Sequence, residues 1–261
     1  VFISGLSDNF DKAVDLLEEL LADAQVDQQA YDNLVEDMLK KRNNAKLDQN
    51  HNLSMLATYG MYGEKSPATN ILTESELKSM NPETLVEKIK GLKNYQHTIL
   101  YYGPLSEKQI TETINQKHAI ADNLQPVPEE VEFAFQNTDE DAVLLVDYDL
   151  PQIYLIMLNK GGNFDKAIEP VRSLYTSYFG SGMNSIVFQE MREARALAYG
   201  ASVYYSRPGK IDKPYYIQAF IATQTDKMHD AVNTFNEILN NMPEAEKSFQ
   251  ISKEKMLTSI R

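Results

Sequence analysis

The sequence predicts a chain of the α+β class, with helices layered on one face of a mostly antiparallel sheet. Three observations support this prediction. Residues 1–118 are dominated by apolar positions at the 3,4 spacing of amphipathic helices. From residue 131 the pattern changes to short alternating or fully apolar runs, which are typical of strands. Helical spacing returns at residue 227, so strands and helices occur in blocks rather than in strict alternation.

The first block begins with the end of a strand at 1–4, followed by helices at 10–24, 28–46 and 50–62. The buried positions of the first two helices follow from their spacing. They are predicted to be Ala13, Val14, Leu17, Leu20, Leu21 and Ala24 in the first helix, and Tyr31, Leu34, Val35, Met38 and Leu39 in the second.

The rest of the first block is set by turn and capping residues. Asn81-Pro82 opens a helix, because proline fits the first helical position. An apolar strand is expected at 98–102, and Gly103-Pro104 ends it. A helix at 106–117 follows, capped by Ser106.

A segment at 119–130 contains two prolines and no clear period, and we interpret it as a linker between two domains, 1–118 and 131–261. Strands are predicted at 131–135, 143–147 and 153–158. The remaining elements are helices at 168–178 and 184–194, strands at 197–206 and 215–223, and helices at 227–240 and 244–261.

Composition excludes several functional classes. The 261 residues include no cysteine, which rules out disulfides and thiolate metal sites. The net charge of −13 disfavours a nucleic-acid binder, which needs a basic face. The longest apolar run, 153–158, is too short to span a membrane. No signal peptide is visible, and the compartment stays open between bacterial periplasm and cytoplasm.

The chain contains an internal repeat. Shifting it by 218 residues aligns 1–43 with 219–261 without a gap, and ten positions are identical where about three are expected by chance. Phe2-Ile3 falls on Phe220-Ile221, and Met38-Leu39 on Met256-Leu257. Shared helix patterning explains part of the match, but duplication is the favoured interpretation. We therefore expect parts of two homologous domains.

One motif is specific. Residues 178–205 read Y-F-G-S-G-M-N-S-I-V-F-Q-E-M-R-E-A-R-A-L-A-Y-G-A-S-V-Y-Y. This stretch resembles a signature of the insulinase/pitrilysin (inverzincin) family of zinc metallopeptidases: a small-residue turn, a helix ending in an Arg-Glu pair, and a Leu-Ala-Tyr strand start. The resemblance implies that 131–261 is similar to the first part of the last of four homologous domains. It also implies that 1–118 is similar to the latter part of the domain before it, in the non-catalytic C-terminal half.

The resemblance also implies a zinc peptidase whose two halves close over a peptide. The zinc would be held by H-x-x-E-H in the N-terminal half. None of the four histidines, His51, His97, His118 and His229, fits that motif. We therefore expect no metal or cofactor and no catalytic residue in this chain, with zinc in the half that is absent. The chain should not cleave peptides alone.

Two residues carry over from the family pattern as substrate-binding candidates, Arg192 and Tyr199, seven positions apart. In the long family members the matching pair hydrogen-bonds substrate carbonyls near the scissile bond. A guanidinium and a phenol O–H are donors that can stabilise the charge developing on a carbonyl oxygen. The alternative is that Arg192 pairs with Glu190 or Glu193 on the surface while Tyr199 belongs to the core.

The expected partners are a peptide substrate and the N-terminal catalytic half of the same protein. Pairing of the partial domains, within one chain or in a homodimer, is a further hypothesis that follows from the repeat. A second functional hypothesis is a regulatory or scaffold homologue without proteolytic activity. A stand-alone peptide-binding α+β protein is a third, which the repeat disfavours.

Overall fold

The computed structural model describes residues 1–118 and 120–260, and its elements follow the change of pattern along the sequence. The helices are α1 (Phe10–Asp23), α2 (Gln28–Ala45), α3 (Gln49–Tyr62), α4 (Glu74–Ser79), α5 (Pro82–Gly91), α6 (Glu107–Lys117), α7 (Glu169–Tyr175), α8 (Ile186–Phe188), α9 (Met228–Asn240) and α10 (Glu246–Ile260). The strands are β1 (Gln152–Asn163), β2 (Gly200–Ser206) and β3 (Pro214–Gln224). The predicted linker and last helix include residues 119 and 261, which lie outside the described ranges.

The chain divides into two compact units. The first consists of Val1–Asn43 and Ile71–Glu132, and the second of Asn44–Asn70 and Phe133–Arg261. This division differs from the predicted domains, because α3 belongs to the second unit and the predicted linker to the first. A helix joins the unit in which its apolar side chains find partners, and the spacing of apolar residues in a sequence does not identify those partners.

Capping residues define the helix starts in the first unit. Ser106 and Gln109 form a reciprocal capping box at α6, as Thr73 and Glu76 do at α4. Asn81 caps α5, and Pro82 is its first residue. The predicted start signals at 81–82 and at Ser106 are therefore confirmed.

The first unit has a small core. Tyr31, Val35 and Leu77 are buried together, and the Tyr31 hydroxyl donates to the Leu77 carbonyl at 2.5 Å. Two predictions of burial are wrong: the exposed fractions are 57% for Leu20 and 50% for Leu34. Both side chains have the correct helical phase, but no element of the described chain covers them.

The second unit is built on an antiparallel sheet in the order β1-β3-β2. Gln152 pairs with Gln224 at one end of the β1–β3 ladder, and Gly200 pairs with Ala222 on the other side of β3. This three-stranded antiparallel sheet, with its surrounding helices, confirms the predicted α+β class.

One face of this sheet carries the main core. Strand residues such as Val203 and Ile221 pack against Val187 and Met191 of the preceding helical segment and against Phe235 of α9. All five side chains are completely buried. Burial of an apolar side chain of this size contributes about 1.5–3 kcal/mol, so this cluster is the main source of stability for the second unit.

The opposite face of the sheet is partly covered by α3, which adds a second helical layer to the predicted single one. Gly60 of α3 packs closely against Leu158 of β1: a Cβ added to Gly60 would lie 3.3 Å from a Leu158 methyl carbon. The Gln49 side chain donates to the Gln152 carbonyl at 3.2 Å. Tyr216 donates to the Gln136 carbonyl at 2.9 Å.

Four predicted strands are wrong: 1–4, 98–102, 131–135 and 143–147 form no ladder in the described structure. Their side chains are largely exposed, with Leu100 at 90%, Tyr102 at 103%, Val143 at 83% and Leu145 at 86%. A strand is stabilised by hydrogen bonds to a neighbouring strand. Apolar runs within the sequence indicate which residues favour an extended backbone, but they do not supply the neighbour.

The starts of two pairs of helices are separated by the same 218 residues as the sequence repeat. Adding 218 to the first residue of α1 gives the first residue of α9, and the same shift converts the start of α2 into the start of α10. The short 3₁₀ turn Ser7–Asn9 likewise falls on the turn Thr225–Lys227. The structure therefore repeats the helix starts as well as the residues.

Among the described helices, none combines the length and the apolar character that crossing a membrane requires.

Candidate substrate-binding cleft

Arg192 and Tyr199 line one cleft in the second unit, with a volume of about 270 Å³. Arg192 lies near the end of the helical segment that begins with α8, and Tyr199 directly precedes β2. The other residues lining the cleft are Ala196, Leu197, Ala198, Gln224 and Lys227.

A tight helix-to-strand connection brings the two residues together. After α8 the helix continues as a π-helical turn, Gln189–Ala194, a distortion that often occurs at functional sites. The buried Met191 offers its carbonyl oxygen to the amides of Leu197 at 2.8 Å and Ala198 at 3.2 Å. These two bonds use the amides of 197 and 198, which explains why β2 begins at Gly200 rather than at the predicted residue 197.

Ala196 is the strained residue of this connection. Its φ of 50° lies in the left-handed region that residues with a Cβ rarely adopt. The Lys227 ammonium group donates to the Ala196 carbonyl at 3.0 Å. On the strand side, the Thr223 hydroxyl donates to the Leu197 carbonyl at 2.6 Å. Hydrogen bonds from β3 and its neighbouring turn thus hold the backbone of Ala196 and Leu197, which line the cleft.

Tyr199 is oriented by β3. Its amide donates to the Ala222 carbonyl at 2.8 Å, and its side chain is half-exposed. The Gln224 amide nitrogen donates to the Tyr199 hydroxyl oxygen at 2.9 Å. Because the hydroxyl oxygen acts as the acceptor in this bond, its own proton is free to be donated to a ligand.

Arg192 is half-exposed and only loosely held. Its Nε lies 3.7 Å from an oxygen of Glu193, with both side chains more than half exposed, so this ion pair contributes little. The guanidinium carbon lies 5.1 Å from the Phe188 ring centroid. Of the alternatives raised by the sequence, the pairing with Glu193 is present, while Glu190 lies near Arg195 at 3.5 Å instead. Tyr199, with 52% of its surface exposed, is not a core residue.

Sequence reasoning missed Gln224 and Lys227. Gln224 ends β3, where nothing in the sequence shows that it faces Tyr199 across the sheet. Lys227 did carry a signal, because it stands at the N-cap of α9, where the helix dipole disfavours a cation. A lysine in that position is explained by the carbonyl of Ala196 that it binds.

The lining of the cleft favours electron-rich ligands. Arg192 and Lys227 are cations, and Tyr199 offers a phenol O–H, whereas none of the lining residues is acidic. Carbonyl and carboxylate oxygens are the groups that such donors bind. The cleft can therefore bind and polarise a peptide carbonyl, and its lining includes no histidine, carboxylate, serine, threonine or cysteine side chain.

Gly180 and Gly182, two of the three glycines in the 178–205 motif, have different roles. Gly182 has a φ of 94°, which glycine adopts without steric cost, so it permits the small-residue turn of the motif. Gly180 is buried, and a Cβ placed on it would lie 1.8 Å from the Val203 carbonyl oxygen. Its absent side chain lets the helical turn pack directly on the backbone of β2.

The residues present do not fit a catalytic zinc site. Among residues 1–118 and 120–260, no group of three or more histidine, aspartate or glutamate side chains could hold a metal ion. The sequence also lacks H-x-x-E-H. No catalytic step through zinc can therefore be assigned to residues of this chain.

The part of the chain that contains the cleft matches a known protein family. The family model described as "Peptidase M16 inactive domain" matches residues 96–256, which is more than half of the chain and includes every residue of the cleft. A search of curated proteins finds no match.

Solved structures share the fold. The periplasmic protease PqqL from Escherichia coli superposes with a TM-score of 0.72 and 12% identity, covering 97% of this chain and 28% of that one. A peptidase M16 inactive domain from Pseudomonas fluorescens superposes with a TM-score of 0.60 and 15% identity. The match covers 96% of this chain and 61% of that one. A chain of Complex III2 from Candida albicans superposes with a TM-score of 0.64 and 10% identity. The match covers 98% of this chain and 63% of that one. The chain thus spans less than two thirds of the length of these structures, and the likeness at such low identity establishes the fold alone.

Proposed function

Because the chain belongs to the peptidase M16 family through its inactive domain, we propose that it is the non-catalytic, substrate-binding part of a zinc-dependent metalloendopeptidase. In this proposal the catalytic half of the same protein holds the zinc and supplies the attacking water. The present chain supplies a second wall for the peptide. Its partners are therefore a peptide substrate and that catalytic half.

The observation that carries the proposal is the convergence of Arg192 and Tyr199 on one cleft with no competing acidic lining residue. Two donors at a carbonyl oxygen stabilise negative charge as it develops there. The Gln224 contact leaves the Tyr199 proton available, and the weak Glu193 contact leaves most donors of Arg192 available. Both residues are thus in a state to bind a peptide carbonyl.

The proposal is tested in the full-length protein with Arg192→Ala and Tyr199→Phe. Each change removes one donor from the carbonyl oxygen, so we expect kcat for peptide hydrolysis to fall about 100-fold, the lower end of what loss of one such donor costs. The measurement is steady-state cleavage of a fluorogenic peptide, with circular dichroism to verify the fold.

Matched controls are available in the same segment. Arg195→Ala removes an arginine three residues further on, which contacts Glu190 and Glu237 instead of lining the cleft. Tyr204→Phe removes a phenol that donates to Gln218 at 2.8 Å. Both controls should keep kcat within about threefold of the parent. Unchanged cleavage in both the Arg192 and Tyr199 variants would rule out the assigned role.

A second candidate function is a regulatory or scaffold subunit without proteolytic activity. The observation that favours it is the structural match to a chain of Complex III2, an assembly whose name denotes no peptidase. The two candidates differ in one measurement. A peptidase hydrolyses peptides in the presence of zinc and loses this activity with a chelator, whereas a scaffold subunit shows no hydrolysis under either condition.

A further inference from the structure

Two histidines face each other in the first unit, far from the cleft in sequence. His118 directly follows α6, and His97 follows the short turn after α5. Their Nε2 atoms are 2.9 Å apart, and their rings are nearly perpendicular, with centroids separated by 5.0 Å. The contact spans 21 residues of sequence, so it joins two separate segments of this unit.

The other nitrogen of each ring is held by an oxygen acceptor. His118 Nδ1 lies 2.6 Å from a carboxylate oxygen of Glu18 in α1. His97 Nδ1 lies 2.7 Å from the carbonyl oxygen of Tyr95. An oxygen acceptor fixes the ring proton on Nδ1. Each Nε2 therefore faces the other ring as an acceptor, so the contact needs a shared cation. A proton fills that place in an N–H···N hydrogen bond, and a metal ion can replace the proton.

This arrangement has the outer hydrogen bonds of a metal site. Histidines that bind metals almost always donate their second ring N–H to a carboxylate or a backbone carbonyl, and here one histidine has each kind of partner. A tetrahedral zinc ion with Zn–N bonds of about 2.0–2.1 Å separates two nitrogen ligands by about 3.3 Å. The rings would need to part by only about 0.4 Å.

Solvent and charge also suit a cation. The His118 side chain is 11% exposed, while His97 is exposed, so water can complete the coordination. From α1, the Glu18 carboxylate contacts His118, and the Asp15 carboxylate contacts the adjacent residue Lys117. Lys117 is the neighbouring cation, and it is already bound by Asp15 at 2.7 Å and by the Asp11 carbonyl at 3.1 Å.

We propose that His97 and His118 bind one divalent transition metal ion through their Nε2 atoms, with Glu18 as the residue that orients His118. The site is separate from peptide hydrolysis and stands independently of the proposed function. Its effect is structural: the ion ties α1, the turn at 92–97 and the end of α6 together, and it stabilises the first unit in proportion to its occupancy.

The test is a titration of the metal-free chain with Zn²⁺ by isothermal calorimetry, together with the unfolding temperature with and without the ion. The parent should bind one Zn²⁺ and unfold at a higher temperature when it is bound. His97→Ala and His118→Gln should each reduce the affinity at least tenfold and abolish the shift. Glu18→Gln should weaken binding about tenfold, as expected for an orienting carboxylate.

His51→Ala and His229→Ala are the matched controls, because each removes a histidine outside the pair and should leave binding unchanged. Circular dichroism of the metal-free variants checks that each is folded. Absence of Zn²⁺ binding by the folded parent overturns the proposal. So does binding that persists unchanged in both His97→Ala and His118→Gln.

Discussion

The hydroxyl group of Tyr199 can act as a donor to substrate only if its own proton is not used within the protein. Gln224 meets this condition by donating its amide N–H to the phenol oxygen. An amide is well suited to this role, because it supplies a donor without adding charge. Gln224 is thus a positioning residue for Tyr199, and its effect is separable from the phenol itself.

Replacing Gln224 with glutamate should reverse the hydrogen bond. A carboxylate only accepts, so the Tyr199 proton would be directed to it and withdrawn from the substrate. In the full-length protein we expect Gln224→Glu to lower kcat about as much as Tyr199→Phe, by roughly 100-fold. Gln224→Leu, which frees the phenol without capturing its proton, should cost less than tenfold. Equal activity of Gln224→Glu and the parent would contradict this role.

Only part of the cleft could be predicted from sequence. Arg192 and Tyr199 stand seven residues apart in one motif, so a linear pattern identifies them. Gln224 and Lys227 reach the same cleft through the pairing of β2 with β3 and through the turn before α9. Those contacts depend on strand register, which is decided by packing across the sheet rather than by neighbours in sequence.

At the level of elements, local signals were more reliable than non-local ones. Ser106 and Gln109 lie within one turn of each other, so the start of α6 was predictable from four residues. The segment at 143–147 has strong strand composition but no ladder partner in the described structure. A helix hydrogen-bonds within itself, whereas a strand depends on a second segment that its own residues do not identify.

The repeat offers a matched comparison between α1 and α9. Leu20 and Ile238 are equivalent under the 218-residue shift, but Leu20 is 57% exposed and Ile238 is 3% exposed. Ile238→Ala should lower the free energy of unfolding by about 2–5 kcal/mol, because it opens a cavity in the core. Leu20→Ala should change it by less than about 0.5 kcal/mol, because this surface is already solvated.

Urea unfolding followed by circular dichroism measures both variants of this pair. Both changes place alanine at equivalent helix positions, and the accompanying changes in helix propensity are below about 0.7 kcal/mol, which is smaller than the expected cavity cost. Similar losses in both variants would mean that α1 buries the face equivalent to that of α9, contrary to the structure.

Across the whole molecule, tyrosines link stability to alkaline pH. Burial raises the pKa of Tyr175 to about 12, with a smaller contribution from the neighbouring Tyr205. Burial likewise raises the pKa of Tyr216 to about 12, and Tyr62 adds to this effect. In an unfolded chain a tyrosine titrates near pH 10. Both phenols are therefore neutral in the folded second unit at pH values where the unfolded chain would ionise them.

The pH dependence follows from this difference. A folded pKa above the unfolded one gives a stabilising contribution that is complete below about pH 10 and is lost as pH rises toward 12. We expect these tyrosines to leave the urea midpoint of unfolding unchanged below pH 10 and to lower it between pH 10 and 12. The urea midpoint of the Tyr175→Phe variant should fall less steeply than that of the parent over this pH range.

Tyr102→Phe serves as the control for the alkaline experiment, because Tyr102 is fully exposed at 103% and its loss should leave the slope unchanged. Phenolate absorbance, recorded alongside the urea midpoints, should show Tyr175 and Tyr216 ionising at a higher pH in the folded chain than in the urea-unfolded chain. Identical slopes for the parent and Tyr175→Phe would exclude a contribution from this residue.

The coincidence of helix starts at a shift of 218 residues has a consequence for gene architecture. With the predicted domain boundaries, residues 44–261 would hold the latter part of one copy followed by the first part of the next, which is the order of a circular permutation. The second compact unit draws α3 from one copy and its sheet from the next. If duplication produced the repeat, neighbouring copies share elements, so the boundary of the duplicated gene segment differs from the boundary of the folded unit.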